Sequence, residues 1–434
     1  MRPIQCCLLF GLSVACTETK TEGMSPGDCT DRADNDGNGA FDCDDAGCSG
    51  SPDCDQDEDS GHSGGDGGGD GGGEAGTDDT AEPGGDTGSE GGGEEGGGEE
   101  GGGDGGDSGG GEGGDSGGGA DVDWVVCDDA TGDYTDLQEA IDAAPDGARI
   151  GVCAGTWGPV EIVGRELSLI GLDGLMDTMI DGGSGRGLYA AESTLSLEEL
   201  SIRGNTTSFA SALYLLNSDT TLNNVRIAYS YGKSVGYIEG GTAVWDGMIL
   251  EENQTSGTVF SSDADALELS HCVMRNNETT VQTFSMTGAA LVSNCLFYDN
   301  AGSSVVQLYG DSGQVMSNVV FYNNTNADYI VIAESGAVIT GAVYANNTSD
   351  YDVVYSGGAY EYSVFYNNSY DTAITGTGLS RVDPHFVDAD AGDFTLDTYS
   401  PCIDAGNPLS SYDDADGSRN DIGAFGGPGG AWTP

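Results

Sequence analysis

Basic residues are scarce in this chain of 434 residues. It has 12 lysines and arginines against 74 aspartates and glutamates, for a formal net charge of -62. No lysine or arginine lies between Arg32 and Arg149. Binding to a nucleic-acid backbone needs Lys and Arg side chains that displace counterions. Nucleic acid is therefore excluded as a partner, and docking on an anionic lipid surface is disfavoured for the same reason.

Histidines and long apolar runs are also scarce. The three histidines, His62, His271 and His385, are too scattered along the chain to indicate a metal triad. After residue 16 no apolar run is long enough to span a bilayer as a helix. We therefore expect contact with a membrane only through a lipid anchor.

The N-terminus and the cysteine content indicate export. Met1-Arg2 precedes an apolar run that ends at Cys16, which predicts a signal peptide over residues 1–16. Residues 13–16 (SVAC) resemble a bacterial lipobox, with the usual leucine one place early at Leu12. The 12 cysteines favour an oxidising compartment. We predict an outer-membrane lipoprotein at the cell surface, lipidated on Cys16, with plain secretion as the alternative.

Residues 28–54 form a cysteine- and aspartate-rich module with the spacing of a calcium loop. If Asp34 is position 1, oxygen ligands fall at Asp34, Asp36 and Asn38, and Asp45 takes position 12 in place of the usual glutamate. The segment resembles cysteine-bracketed, Asp-rich repeats of bacterial cell-surface proteins. We predict calcium as the cofactor here; the alternative is an acidic turn held by disulfides without a metal.

Residues 55–120 consist almost wholly of Gly, Asp, Glu and Ser. Such a segment cannot bury enough apolar surface to offset the loss of chain entropy. We predict a disordered acidic linker between the module and the rest of the chain.

Residues 121–382 contain a repeated unit in which a short apolar strand ends three residues before an asparagine or serine. Successive copies lie about 21 to 25 residues apart. The strands are residues 200–202, 225–227, 248–250, 272–274, 295–297, 319–321, 342–344 and 363–365. One such unit cannot enclose a core, but stacked copies bury their apolar side chains against each other. The pattern predicts an all-β parallel β-helix solenoid, in which the asparagines stack and bond to the turns.

Alternation along the strands assigns the side chains to two faces. We place one inward stack at Val225, Met248, Cys272, Cys295 and Val319, and a second at Ile227, Leu250, Met274, Phe297, Phe321, Tyr344 and Phe365. The intervening residues Ile249, Val273, Leu296, Val320, Val343 and Val364 then point outward as an exposed aliphatic stripe. Such a stripe would favour a partner or self-association; the alternative is a phase error of one residue, which would place the stripe in the core.

Both ends of residues 121–434 resemble pectin-lyase-like β-helix proteins. The segment at 132–144 (GDYTDLQEAIDAA) resembles the helix that caps the core in that family. The segments at 383–387 (DPHFV), 400–406 (SPCIDAG) and 421–426 (DIGAFG) resemble the closing segment of secreted bacterial members. The resemblance implies a right-handed parallel β-helix over 121–382, with a short N-terminal capping helix and a C-terminal closing segment over 383–434. It does not identify a reaction, because one fold hosts many functions.

The positions of four cysteines in this region raise the question of disulfides. Cys127 and Cys153 flank the capping helix, so a bridge is open to them. Cys272 and Cys295 occupy equivalent places one coil apart, which favours two stacked buried thiols over a disulfide.

The outer surface at the turns offers a candidate binding site. Arg275, Tyr298, Tyr322 and Tyr366 stand two residues before the ladder asparagine, and Asn323 stands one residue before it. Aromatic rings and amides repeated once per coil are suited to an extended glycan, so we predict an extracellular polysaccharide or surface glycan as partner. The alternative is that these are ordinary exposed turn residues.

Catalytic patterns are weak by comparison. The β-helix has a single lysine, Lys233. Asp263 with Asp265, and His271 with Arg275, are the remaining combinations. We therefore predict a cell-surface module that binds a glycan or another partner without catalysis. Two alternatives stay open: a polysaccharide lyase or glycoside hydrolase with an unrecognised site, and a purely structural surface protein.

Overall fold

A computed structural model describes residues 121–434, except 207–208, 310–312, 327, 356 and 371–373. Three long parallel sheets form a solenoid, in which the strands pair with their counterparts one coil away. A two-stranded antiparallel hairpin lies outside these sheets. The prediction of a parallel β-solenoid is confirmed. Within these residues no helix is long and apolar enough to cross a membrane.

The sheets are named A, B and C. Sheet A holds Trp124–Val126, Ala148–Val152, Gly155–Trp157, Glu166–Gly171, Thr178–Asp181, Thr194–Arg203, Asp219–Ala228, Thr242–Asp246, Ile249–Glu251, Ala266–Ser270, Val273–Arg275, Ala289–Tyr298, Val315–Tyr322, Val338–Thr340, Val343–Ala345, Ala359–Glu361 and Val364–Tyr366. Sheet B holds Val160–Val163, Leu188–Ala191, Leu213–Leu216, Gly236–Glu239, Phe260–Asp263, Gln282–Thr287, Ser304–Tyr309 and Val331–Ala333. Sheet C holds Asn205–Thr206, Tyr231–Gly232, Gln254–Thr255, Glu278–Thr279, Ala301–Gly302, Thr325–Asn326 and Thr348–Ser349.

A short helix, α1 (Leu137–Ala143), covers the N-terminal end of the core, as predicted. Asp136 is its N-cap, and its carboxylate accepts a hydrogen bond from the backbone N–H of Glu139. The apolar face of α1 is buried in the main core. A disulfide between Cys127 and Cys153, with 5.1 Å between the Cα atoms, ties the first strand to the first coil.

Both predicted inward stacks are confirmed, because every member is fully buried in the main core. In the second stack the rings of Phe297, Phe321, Tyr344 and Phe365 lie face to face on four successive coils. Their neighbouring centroids are 4.8, 5.0 and 4.8 Å apart. The coil spacing of a parallel sheet, about 4.8 Å, therefore suits aromatic stacking directly.

The asparagines form the predicted ladder along the turn after sheet A. In Asn300, Nδ2 donates to the carbonyls of Met274 and Tyr298 and to Oδ1 of Asn324. Its own Oδ1 accepts from the backbone N–H and the Nδ2 of Asn277. Equivalent bonds join Asn253, Asn277, Asn324, Asn347 and Asn368. Each buried amide thereby satisfies turn groups on two coils.

Asn300→Ala should lower the free energy of unfolding by about 2–3 kcal/mol, since buried groups on neighbouring coils lose their partners. The change should shift the midpoint of urea unfolding followed by circular dichroism. Asn223→Ala, at an exposed strand position, is the matched control and should change the free energy by about 0.5 kcal/mol or less. Equal losses in both variants would contradict the role of the ladder.

The closing segment, residues 383–434, covers the outward aliphatic stripe. It contains the hairpin strands Phe386–Asp388 and Asp393–Leu396 and the 3-10 helices Ala389–Ala391 and Ser410–Tyr412. Val273, Leu296, Val320, Val343 and Val364 are buried in a second apolar cluster with residues of this segment, among them Phe394, Cys402, Ile422 and Ala424, while Ile249 is partly buried at its edge. The stripe does point outward from the solenoid, but the prediction that it is exposed is wrong. The surface that covers this stripe is the closing segment of the same chain.

Polar anchors fix the closing segment on this face. Nδ2 of Asn294 donates to the carbonyls of Ala424 and Gly426 at 2.9 and 2.8 Å. Nδ2 of Asn318 donates to Oδ1 of Asn420 at 2.8 Å and to the carbonyl of Asp421 at 2.9 Å. The closing segment is therefore held by side-chain hydrogen bonds as well as by apolar packing.

A second disulfide joins Cys272 and Cys295, whose Cα atoms are 4.6 Å apart. The prediction of two separate thiols was wrong because parallel pairing brings equivalent positions of adjacent coils within bridging distance. The stack position and the burial of both residues were correct.

Candidate functional site

Three tyrosines form a ladder on the outer face of sheet B. Parallel pairing places Tyr189, Tyr214 and Tyr237 in register on successive coils. Neighbouring ring centroids are 5.5 and 5.8 Å apart, with the ring planes inclined by 52° and 46°. All three side chains are half-buried, so each ring packs on its neighbour and also faces solvent.

Alternation along short strands aims these rings outward. The residues that flank Tyr189 and Tyr214 (Leu188, Ala190, Leu213 and Leu215) and Ile238 after Tyr237 are buried in the core. Before Tyr237 stands Gly236, where an added Cβ would lie 2.0 Å from the Phe260 ring. Glycine is required there because Phe260 of the next coil fills that part of the core.

Arg186 and Phe209 extend the ladder on the side where the chain enters sheet B. The guanidinium of Arg186 lies 5.5 Å from the ring centroid of Tyr189 and 4.9 Å from that of Tyr214. Its Nε and Nη2 donate to the carbonyls of Ala210 and Phe209. The Phe209 ring, 41% exposed, stands edge-on to Tyr237 at 4.6 Å. We call these five residues the tyrosine platform.

Carboxylates border the platform on the opposite side. The hydroxyl of Tyr214 donates to Oε2 of Glu239 at 2.9 Å. Burial, assisted by the carboxylate of Glu239, raises the pKa of Tyr214 to about 12. Burial, with the charges of Asp263 and Glu239, also raises the pKa of Tyr237. Both phenols therefore stay protonated at neutral pH.

A groove of about 820 Å³ adjoins the platform. It runs between α1 and the first strands of sheet B, and Tyr189 and Arg186 form its border with the platform. Gln138 and Asp142 of α1 and Glu161 of sheet B also line it.

Of the predicted glycan stripe, Tyr298 lies beneath the closing segment, whereas the side chain of Arg275 is 42% exposed. Nε of Arg275 pairs with Oε2 of Glu251 at 2.6 Å, and its Nη1 donates to the Tyr298 hydroxyl at 2.9 Å. Tyr298 is only 8% exposed, and its ring lies 5.1 Å from that of Phe394. An open position at Tyr298 is therefore a wrong prediction, because Phe394 covers its ring, while Arg275 stays partly exposed and pairs with Glu251.

The other three predicted residues lie at the margin of the closing segment. The Tyr322 hydroxyl donates to Oδ1 of Asp390 at 2.8 Å. Exposed Asn323 donates to Oδ1 of Asp299 on the preceding coil at 2.6 Å. Tyr322 and Tyr366 line a cleft of about 480 Å³ whose other wall includes Asp383, His385 and Asp397.

The combinations considered for catalysis do not converge. Nδ1 of His271 lies 2.5 Å from Oδ1 of Asp246, and its Nε2 lies 2.9 Å from the carbonyl of Gly429, whereas Arg275 pairs with Glu251. Asp263 and Asp265 are both exposed near the turn from sheet B to sheet A. His271 thus fastens the end of the closing segment.

The predicted calcium ligands Asp34, Asp36, Asn38 and Asp45, and the predicted lipid attachment at Cys16, lie outside the described residues. Within the described part of the chain, no three His, Cys, Asp or Glu side chains are grouped so as to hold a metal.

The tyrosine platform was not among the predicted site residues. Its signal is present in the sequence, because Tyr189, Tyr214 and Tyr237 recur 25 and 23 residues apart, at the coil period, each within an apolar triplet. The asparagine-ended strands of sheet A repeat more regularly than the strands of sheet B. The binding site was therefore predicted at the turns after sheet A.

Comparison with known proteins agrees with the fold. Residues 211–377 match the family model described as "Right handed beta helix region". Among solved structures, pectate lyase Pel9A aligns at 14% identity over 67% of this chain and 90% of its own, with a TM-score of 0.50. Pectin methylesterase from carrot aligns at 15% identity over 63% and 92%, with a TM-score of 0.30. No curated protein matches the sequence. The described part of the chain has the fold of a right-handed parallel β-helix, and at these identities the likeness concerns the fold alone.

Proposed function

We propose that this β-helix is a cell-surface module that binds a glycan on the tyrosine platform without chemically altering it. The observation that carries the proposal is the register of Tyr189, Tyr214 and Tyr237, which places one solvent-facing ring on each of three coils. Aligned rings on an open face favour binding over catalysis. The resemblance in fold to a pectate lyase is consistent with a polysaccharide ligand.

The platform offers both kinds of contact that a sugar requires. The apolar face of a sugar ring packs on an aromatic face, and the half-buried tyrosines are already held in place by their neighbours. Glu239 and Asp263 supply carboxylate oxygens for sugar hydroxyls, and charge-assisted hydrogen bonds of this kind are the stronger ones. Because the rings are ordered before binding, little side-chain entropy is lost when the glycan binds.

Tyr214→Ala should weaken glycan binding by about tenfold or more, since truncation of a central interface aromatic costs over 1 kcal/mol. The ligand is first found on a glycan array with the full chain, and affinities are then measured by calorimetry. Tyr399→Ala, at a tyrosine that is 87% exposed in the closing segment, is the control and should leave the affinity unchanged. Equal affinity of both variants for every glycan bound would overturn the proposal.

A hydrolase or lyase is the second candidate function, favoured by the cleft at the closing segment. Its walls combine Asp383, Asp397 and His385 with Tyr322 and Tyr366. Paired carboxylates beside aromatic rings are the groups that glycoside hydrolysis uses. A reducing-end release assay with the bound glycans separates the candidates. Release that is abolished by Asp383→Asn or Asp397→Asn would establish the enzyme.

The location and the metal remain proposals from the sequence. The segment at residues 1–16, with a lipid on Cys16, would hold the protein at the outer membrane, and residues 55–120 would act as a tether. Calcium at Asp34, Asp36, Asn38 and Asp45 would order the module at 28–54. Metabolic labelling with a palmitate analogue, compared between the natural chain and Cys16→Ser, tests the anchor.

A further inference from the structure

The outer row of sheet B continues beyond the tyrosines with polar side chains. Register pairing places Ser261, Ser285 and Gln307 on the next three coils in line with Tyr237. Ser261 and Gln307 are half-buried, whereas Ser285 is only 9% exposed. The hydroxyls of Ser261 and Ser285 are 3.0 Å apart, and the Gln307 side chain accepts from Gln282 at 2.6 Å. From Tyr189 to Gln307 the row spans five coil steps, or about 24 Å. An extended chain several sugars long fits a row of this length.

The charges beside this row are mainly negative. Glu161 stands in register before Tyr189 at the N-terminal end, and Glu239 and Asp263 stand in register on adjacent coils beside Tyr237 and Ser261. The Thr287 hydroxyl donates to Asp263. Acidic residues also dominate the chain as a whole, whose net charge is -62. At physiological salt, charges within about 8 Å of each other are only partly screened.

The cation against the tyrosine rings can serve one acidic sugar at most. The guanidinium of Arg186 lies against the rings of Tyr189 and Tyr214, and its Nε and Nη2 already donate to backbone carbonyls. Three of its five N–H groups remain, which suffices for a fork-like pair of bonds to one carboxylate. Each further uronate along the row would meet Ser, Gln or a carboxylate.

We infer that the ligand of the tyrosine platform is an extended, uncharged polysaccharide that lies along the outer row of sheet B from Tyr189 to Gln307. The inference rests on the proposed function and specifies its ligand class. The rings pack on sugar faces, and the serine, glutamine and carboxylate oxygens bond to sugar hydroxyls. A polyuronate would place a negative charge on every sugar next to Glu239 and Asp263.

The test uses the full chain and a pair of probes with the same sugar backbone: polygalacturonate, which is charged, and its fully methyl-esterified form, which is not and carries one more methyl group per sugar. Uncharged mannan, xylan and hydroxyethyl cellulose, and anionic alginate, complete the panel. Binding is measured by affinity electrophoresis and calorimetry at 0.05 and 1 M salt, with chelator and with calcium. Tyr214→Ala is measured alongside, so that only binding on the platform counts.

Where both forms of the pair bind, the esterified form should bind about tenfold or more tightly at low salt, because like charges brought together across an interface are costly. This difference in affinity between the two forms should become smaller at 1 M salt. The double variant Glu239→Gln with Asp263→Asn should narrow it at low salt too, whereas Glu268→Gln, at an exposed position on sheet A, should not. Platform binding confined to the other uncharged glycans also supports the inference.

Tyr214-dependent binding that is tighter for polygalacturonate or alginate, with or without calcium, would overturn the uncharged ligand and leave glycan binding standing. If the difference in affinity between the two forms is unchanged in the double variant, the two carboxylates do not cause it. That result would also overturn the inference. If no probe binds in a Tyr214-dependent way, glycan binding on the platform fails together with its ligand class.

Discussion

Glu251→Ala should lower the free energy of unfolding at neutral pH by about 3–5 kcal/mol, which is the cost of removing one partner from a buried ion pair. Glu251 lies at the end of Ile249–Glu251 in sheet A and accepts from two arginines. Its Oε1 is 2.6 Å from Nε of Arg226, and its Oε2 is 2.6 Å from Nε of Arg275. The Arg226 side chain is only 5% exposed, so without Glu251 its charge would be buried unpaired.

Acid should weaken this stabilisation. Burial pushes the pKa of Glu251 upward, but the hydrogen bonds and charges of Arg226 and Arg275 outweigh it and hold the pKa below the usual range. A carboxylate with a lowered pKa in the folded state contributes stability above its unfolded pKa, about 4.3. The contribution is lost as the pH falls through the lower, folded value.

The isosteric variant Glu251→Gln separates charge from packing. The difference in unfolding free energy between the natural chain and Glu251→Gln should be complete at pH 7 and should shrink as the pH falls below about 4. Urea titrations across pH 3–7 measure it, with Glu268→Ala at an exposed strand position as control. A difference that does not depend on pH would mean that Glu251 acts through shape alone.

Phe394→Ala should cost about 3–5 kcal/mol of stability and should loosen the closing segment from the solenoid. Phe394 is 1% exposed. Its ring centroid lies 5.1 Å from that of Tyr298, 5.3 Å from that of Tyr322 and 5.4 Å from that of Phe386. It is therefore the aromatic contact that joins the hairpin of the closing segment to sheet A.

Loss of this contact should uncover the aliphatic row at Val273, Leu296 and Val320. An exposed apolar stripe of this kind promotes self-association, so the variant should bind more of a hydrophobic dye and show larger species in light scattering. Tyr399→Ala, in the same segment but 87% exposed, should change stability by about 0.5 kcal/mol or less. If the Phe394→Ala variant stays monomeric and binds no more dye than the natural chain, other contacts hold the segment in place.

The features that could be predicted from the sequence are those whose contacts repeat from coil to coil. Strand phase, the inward stacks and the asparagine ladder could all be predicted, since each coil presents the same residue type at the same place and meets its own copy above and below. Phe321 is buried between Phe297 and Tyr344 because all three occupy one position of the repeat.

The closing segment obeys no such repeat. Whether Val320 and Tyr298 meet solvent or protein depends on residues 70 to more than 100 positions later, such as Phe394 and Ile422. Alternation tells which face of the strand they occupy, but it carries no information on what lies against that face. The predicted open stripe failed for this reason.

The sequence by itself therefore determined the solenoid, its period and its inward faces, because these follow from local alternation and from stacking of like on like. The capping helix was implied by the resemblance of residues 132–144 to pectin-lyase-like β-helix proteins. Only the tertiary structure decided which outward face stays open. It buried the aliphatic row and Tyr298 under the closing segment, and it left the tyrosines of sheet B facing solvent. The physical reason is that the exposure of an outward face depends on long-range packing by a segment that does not repeat. That segment packs on the most apolar face and excludes solvent from it.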